Sequence, residues 1–292
     1  AAAVNIASAP TGLIIPPSGI LIIYPVLAGC SVVGMIMSGY IPGLMWALAC
    51  MVVAYVIAKK NHYPTAGKVP ASVFFKYFVD AIPSLLLIVI IIGGILSGVF
   101  SPTEASAVAV AYAFILSVFI YKSIDLKDMP RILVQTANMT TVVMLIIGAS
   151  SVLSFVLSFT GLPAAISKMV LGISDNKYVL LLILNIFLLI VGTFMDMAPA
   201  LLIFTPIFLP IVRTFGMSDV QFGVMMVMNL AVGTITPPVG NVLFVGCSLA
   251  KQRLENVMKS LVPFFVAIFI SLMLVTYIPA LSEWLPTTLG LM

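Results

Sequence analysis

The chain carries one helix-breaking frame twice inside apolar sequence: GLIIPPSG at 12–19 and GTITPPVG at 233–240, both reading G-x-x-x-P-P-x-G. Proline has no N–H to donate and drives the residue before it away from helical angles, so a Pro-Pro pair ends a helix. The flanking glycines free the backbone further. Hydrophobic residues make up 62% of the chain and charged ones 8%, so both breaks fall in segments that enter a bilayer. At that depth open backbone groups are tolerated only where they line a cavity or are buried in protein. Each frame is therefore a candidate binding site; the alternative is a kink that serves packing alone.

A mean hydropathy of +1.27 predicts a polytopic membrane protein lying in a lipid bilayer. A net charge of +4 spread over many loops gives no basic patch for nucleic acid and fits cytoplasmic loops. Cys30, Cys50 and Cys247 lie in apolar runs without metal or disulfide spacing and read as small buried hydrophobes. His62 is the single histidine, set in a basic loop, and no serine or cysteine pairs with it in an apolar segment. The 17 methionines are scattered along helices and read as packing. An enzyme is not expected, nor any cofactor beyond a coupling ion. Ala1 follows no initiator methionine or signal pattern, so the expectation is a fragment of a longer protein.

In chain order, 1–11 and 18–30 are each too short to span and together make one discontinuous helix. An apolar run over 41–58 stops at Lys59 and Lys60, and 71–81 reads as an interfacial segment. A span over 82–100 leads to SPTEASA, where Ser101, Pro102 and Glu104 have capping-box spacing for a helix to about Tyr121. A further helix runs through Asn138 to Ser158, and 164–177 reads as short and amphipathic. The runs 178–192 and 199–212 flank GTFMDMAP, and each is short of a full crossing, so a re-entrant hairpin is predicted. Residues 221–231, the second break, 241–250 and a last span to about Leu281 complete the chain.

If loops 59–76, 122–131 and 251–259 are cytoplasmic, they hold ten of the thirteen basic residues, as the positive-inside rule favours. The hairpin over 178–213 then opens outward. An offset of 221 residues aligns Gly12, Pro16, Pro17, Gly19 and Pro42 with Gly233, Pro237, Pro238, Gly240 and Pro263. In this orientation the two broken helices run in opposite directions, the inverted-repeat arrangement that secondary transporters use to build a midplane site. The first copy is then expected to have an inward-opening hairpin upstream.

GLIIPPSGILIIY with SGYIPGL, FSPTEASAVAV, GTFMDMAPALLIFTPIFLPI and FGVMMVMNLAVGTITPPVGNVLF closely resemble the large membrane (M) subunit of tripartite ATP-independent periplasmic transporters. The resemblance covers essentially the whole chain, matching the C-terminal two-thirds of that subunit. It implies a sodium-driven importer of an organic acid (sialic acid, another sugar acid or a C4-dicarboxylate) in the bacterial inner membrane. It further implies an elevator-type transport domain, a small Q membrane subunit, separate or fused, and a soluble periplasmic P protein. The corresponding division is 1–30, first discontinuous helix; 31–81, scaffold span and interfacial helix; 82–177, scaffold and arm helices; 178–213, hairpin; 214–250, second discontinuous helix; and 251–292, final scaffold span. The runner-up is a carboxylate or anion carrier of similar architecture that needs no binding protein. A channel is a more distant alternative, since no filter sequence repeats.

The resemblance places sodium binding at Gly12, Pro16 and Ser18, at Gly192, Thr193 and Asp196 of the hairpin tip, and at Gly233, Thr236 and Pro238. The candidate substrate residues are Asn5, Ser8, Thr11, Pro199 and Thr234, with Ser8 and Thr11 assigned to substrate selection by the resemblance. The chemistry agrees, because sodium takes hard oxygen ligands and broken helices offer carbonyls and half-helix dipoles. Asp196, flanked by apolar runs, costs about 2.5–3.5 kcal/mol to insert; it serves as a ligand or holds the tip by accepting backbone N–H bonds. Glu104 reads as a helix cap. Asn138, Thr140, Thr141, Asn185 and Asn229 either line the pathway or hydrogen-bond between helices. Arg213 either snorkels or attracts an anionic substrate.

Overall fold

A computed structural model describes residues 2–63, 70–161, 172 and 176–292. Among them every regular element is helical: α1 Ala2–Ser8, α2 Thr11–Ile14, α3 Gly19–Ala28, α4 Val32–Ser38, α5 Tyr40–Lys60, α6 Ala71–Leu96 and α7 Pro102–Ile115. There follow α8 Met129–Thr160, α9 Lys177–Phe194, α10 Met197–Thr214, α11 Asp219–Gly233, α12 Asn241–Leu249, α13 Leu254–Tyr277 and α14 Ala280–Thr288. Among the described residues six helical stretches are long and apolar enough to cross a bilayer, Val32–Lys60 counted as one, and the pair 2–14 and 19–28, bent by 44°, is a seventh if taken as one span. The chain is an all-α polytopic membrane protein.

It divides into two compact units, 1–57 with 144–292, and 58–143. The first is built round α11, which Ser218 starts by accepting the Gln221 N–H. Thirteen of its fifteen residues are buried, packed by α2, α3, α4, α9, α10, α13 and α14. A helix apolar on all sides is a core helix. Gly223 admits the Tyr24 ring, since a Cβ there would lie 2.4 Å from it. The buried Gln221 amide is satisfied by the Thr276 carbonyl at 2.9 Å.

In the second unit α6 is continuous, where the sequence predicts an interfacial segment and a separate span. Pro83 lies inside it and withholds one N–H from the helix ladder. Two hydroxyls dock on the same stretch: Tyr112 donates to the Pro83 carbonyl at 2.8 Å and Tyr121 to that of Asp80 at 3.3 Å. The capping box at Ser101 and Glu104 forms as expected. A π-helical turn over Leu116–Ile120 ends this helix.

Other boundaries differ from expectation. α4, capped by the Ser31 hydroxyl, and α14 were not anticipated by apolar run length. α9 and α10 each reach 18 residues, so length does not separate a re-entrant hairpin from two crossings. Most of the amphipathic stretch expected over 164–177 lies outside the described residues. Shifted by the 221-residue offset, Gly19–Ala28 falls on 240–249, beside α12, and Val32–Lys60 falls on 253–281, beside α13. The correspondence fails at Pro10, which separates α1 from α2, while α11 runs unbroken through the matching Ala231.

Candidate functional site

The α9–α10 turn and the second break meet through backbone. A Cβ on Gly233 would fall 2.1 Å from the Gly192 carbonyl oxygen, so the two chains touch where both residues lack side chains. Beside this contact the Val239 N–H donates to the Thr193 carbonyl at 3.1 Å. The Asn241 amide donates to Asp196 Oδ1 at 3.2 Å. Asp196 stands at the N-cap position of α10 without making a side-chain cap bond. Tip capping by backbone N–H groups, one of its two expected roles, is therefore replaced by a bond across to α12. Pro199 is half-buried in the first turn of α10.

This arrangement sorts helix ends by sign. α9 ends at Phe194 and α11 at Gly233, so two C-termini, each carrying roughly half a negative charge, converge at the glycine contact. α10 and α12 begin at Met197 and Asn241, so two positive N-termini converge on the Asp196 carboxylate. The first locus suits a cation and the second an anion. Hydroxyls at the first locus point their hydrogens into the backbone: Thr193 to the Ile190 carbonyl at 2.7 Å, Thr234 to Ala231 at 2.7 Å and Thr236 to Val232 at 2.7 Å. Their lone pairs stay available to a cation. Pro238 is exposed just beyond. Among the described residues no cluster of three carboxylates, thiols or imidazoles offers a charged metal site.

The first break has its own partners. Trp46 of α5 donates through Nε1 to the Ala7 carbonyl at 2.9 Å, in the last turn of α1, where carbonyls lose their helical partners. Trp46→Phe keeps the ring and deletes the donor. It is expected to cost about 1–3 kcal/mol, read as a lower melting temperature, with Trp46→Leu costing more. The buried Ser18 hydroxyl donates to the Leu13 carbonyl at 2.5 Å and Ser8 to Asn5 at 3.3 Å. The Thr11 hydroxyl is buried without a hydrogen-bond partner. Pro16 is buried and Gly12 exposed. α1 and α12 flank a cavity of about 370 Å³ lined by residues that include Asn5 and Asn241. The structure thus joins α1 to the second break at Asn5, and Gly192, Thr193 and Asp196 to Gly233, Val239 and Asn241.

At the other end of α10, Arg213 is half-exposed and paired. It holds Asp219 with both carboxylate oxygens engaged, at 2.7 and 2.6 Å, and donates to the Ala28 carbonyl at 3.2 Å. One guanidinium thereby ties α10, α11 and the end of α3. Burial, reinforced by the Asp219 carboxylate, pushes the Cys30 thiol up to about 11. From an ordinary value of 9.0, that makes thiolate about a hundredfold scarcer at pH 8. Cys30 should react with maleimide correspondingly slowly, and Asp219→Asn should speed it.

The remaining polar candidates separate by burial. Asn138, Thr140 and Thr141 are exposed on α8. Asn185 and Asn229 are both fully buried and bonded to each other, Asn229 Nδ2 to Asn185 Oδ1 at 2.8 Å. Asn241, which donates to Asp196, was not among the residues expected from the sequence.

The family model for the DctM component of tripartite ATP-independent periplasmic transporters matches residues 1–281. The chain is 48% identical to the uncharacterized protein YgiK of Salmonella typhimurium over 286 residues, 98% of this chain and 66% of that protein. It is 39% identical to the sialic acid TRAP transporter large permease protein SiaM of Vibrio cholerae over 280 residues, 96% of this chain and 66% of the relative. It is 36% identical to the C4-dicarboxylate TRAP transporter large permease protein DctM of Pseudomonas aeruginosa over 280 residues, again 96% and 66%. The chain thus spans just under two thirds of the length of these relatives.

Proposed function

The chain belongs to the DctM family of tripartite ATP-independent periplasmic transporters, and from that membership and the geometry of the second break we propose that it is the permease of a sodium-coupled importer of an organic acid. The observation that carries the sodium reading is the convergence of the α9 and α11 C-termini at Gly192 and Gly233, with three hydroxyls presenting lone pairs. Sodium binds there first and holds the hairpin tip against the break. The substrate carboxylate then meets donors among Asn5, Ser8, Thr11, Thr234 and the turn around Pro199. The first break, at Gly12, Pro16 and Ser18, provides the matching ion site of an inverted repeat.

In this reading the hairpin and both broken helices move as one elevator-like body, and only its fully loaded or empty form crosses. Coupling follows because the substrate locus is completed by the ion-held tip. A soluble periplasmic P protein delivers the acid, a Q subunit accompanies the permease, and the complex sits in a bacterial inner membrane. The test is uptake of labelled acid into proteoliposomes holding the complete transporter. Thr236→Ala, and likewise Asp196→Ala, should raise the sodium concentration for half-maximal uptake by about tenfold, the effect of roughly 1.4 kcal/mol. Unchanged sodium dependence in both variants would sink the site assignment, and uptake without any binding protein would favour a stand-alone carrier.

A further inference from the structure

We infer that the unit formed by residues 58–143 binds anionic phospholipid at the end that carries its basic loops, with Lys76 and Lys122 as the principal cations. Helix lengths set the depth of this surface. α6 has 26 residues and is about 39 Å long at about 1.5 Å per residue, against about 30 Å of hydrocarbon. α7 with its π-helical turn, Pro102–Ile120, has 19 residues and roughly matches that thickness. The two helices pack together up to the end of α7, where the Tyr121 hydroxyl donates to the Asp80 carbonyl and lies 3.0 Å from the Ser84 hydroxyl. Residues 71–79 of α6 therefore run on past the end of α7, for about the two turns by which α6 exceeds the hydrocarbon. Phe74, Phe75, Tyr77 and Phe78 are exposed on those turns, as aromatics are at the level of lipid headgroups.

Charge and backbone single out the same place. Lys59, Lys60, Lys76, Lys122, Lys127 and Arg131 outnumber Asp80, Asp125 and Asp128 at this end. Among the described residues none of these cations makes an ion pair, the salt bridge found being that of Arg213 with Asp219. Lys122 is also left-handed, with φ 49°, a conformation that a Cβ disfavours. At the opposite end of the α6–α7 pair Gly98 takes the same conformation, with φ 72°, at no steric cost. The helix dipole alone would be met by a lysine in the last turn, and none is there. A cation is thus held at the strained position just beyond the helix end, beside Tyr121 and within the headgroup layer. A lipid phosphate supplies the counter-charge that the protein lacks, and its acyl chains lie along the exposed apolar faces of α6 and α7. A soluble anion would meet the lysines but leave the aromatics uncovered.

The test is a thermal-unfolding titration of the purified complete transporter in an uncharged detergent. Phosphatidylglycerol should raise the melting temperature saturably. Phosphatidylcholine at the same concentrations should not, and neither should glycerol 3-phosphate, which has the headgroup charge without the chains. The phosphatidylglycerol concentration for half the shift should rise about fivefold in Lys122→Gln and in Lys122→Gly, and about tenfold or more when either is combined with Lys76→Gln. Lys122→Arg should keep the parent value, as should Lys177→Gln at the start of α9. Lys122→Gly also relieves the left-handed backbone, so without lipid it should melt no lower than the parent, which separates lost lipid from lost folding. An equal shift from phosphatidylcholine or from glycerol 3-phosphate overturns the inference. So does the absence of any shift with phosphatidylglycerol, or a half-maximal concentration that Lys122→Gly leaves unchanged.

Discussion

Gly233→Ala is expected to abolish sodium-driven uptake and to lower the melting temperature of the purified protein more than any other single alanine at the two breaks. The added methyl would stand 2.1 Å from the Gly192 oxygen and 2.2 Å from its carbonyl carbon. Both are backbone atoms in a turn pinned by the Thr193–Val239 bond, so no side chain can swing aside. Overpacking in a dense interior costs about 1–3 kcal/mol, and a backbone clash belongs at or above the upper end. The reciprocal change should be milder. A Cβ on Gly192 would meet Leu230 Cα at 3.2 Å and Gly233 Cα at 3.4 Å, contacts that a shift of a few tenths of an ångström relieves. Gly93→Ala, with nothing within 4 Å, serves as the control and should gain slightly from helix propensity. Equal melting temperatures for Gly233→Ala and Gly93→Ala would mean that the tip and the break do not meet as described.

The contrast between these glycines marks what could be read from the chain alone. A Pro-Pro pair breaks a helix by its own covalent chemistry, so both breaks were legible without any knowledge of neighbours. Gly192 and Gly233 were legible as special residues, but they pack against each other, and a contact between segments distant in sequence has no local signature. The same limit explains Trp46 and Ala7, joined across 39 residues, and Arg213, whose carboxylate partner was in plain view at Asp219 while its carbonyl partner, Ala28, is 185 residues away. The division between 71–81 and 82–100 rested on the aromatics and charges of the first stretch, and nothing in that local pattern shows that α6 runs unbroken from Ala71 to Leu96 through Pro83. Asp196 was identified as the exceptional carboxylate, yet its partner is an asparagine on the far side of the second break.

Asn185 and Asn229 illustrate both the ambiguity and its resolution, and they yield the second large effect. Spacing alone cannot say whether an asparagine in an apolar helix faces a pathway or a neighbour. Here the pair fastens α9 to α11: Asn185 Oδ1 accepts from Asn229 at 2.8 Å and from the Thr276 hydroxyl at 3.3 Å, while Asn185 Nδ2 is spent on the Leu181 carbonyl at 2.7 Å. Asn229 Oδ1 has no partner. The two truncations are therefore unequal. Asn185→Leu strands a buried N–H of Asn229, at about 1–3 kcal/mol for the unmet donor. Asn229→Leu removes an oxygen that was already unmet and leaves Asn185 its bond from Thr276, so it should cost less. In the double variant no stranded amide remains, and its destabilisation should fall below the sum of the singles by about 1 kcal/mol or more, measured as a double-mutant cycle on thermal unfolding. Strict additivity would show that the two amides do not interact. Because α9 and α11 end together at the Gly192–Gly233 contact, loosening this pair also blurs the register of the two helix C-termini. Asn185→Leu is accordingly expected to raise the sodium concentration for half-maximal uptake by a larger factor than the substrate KM, a split that a general loss of folded protein would not produce.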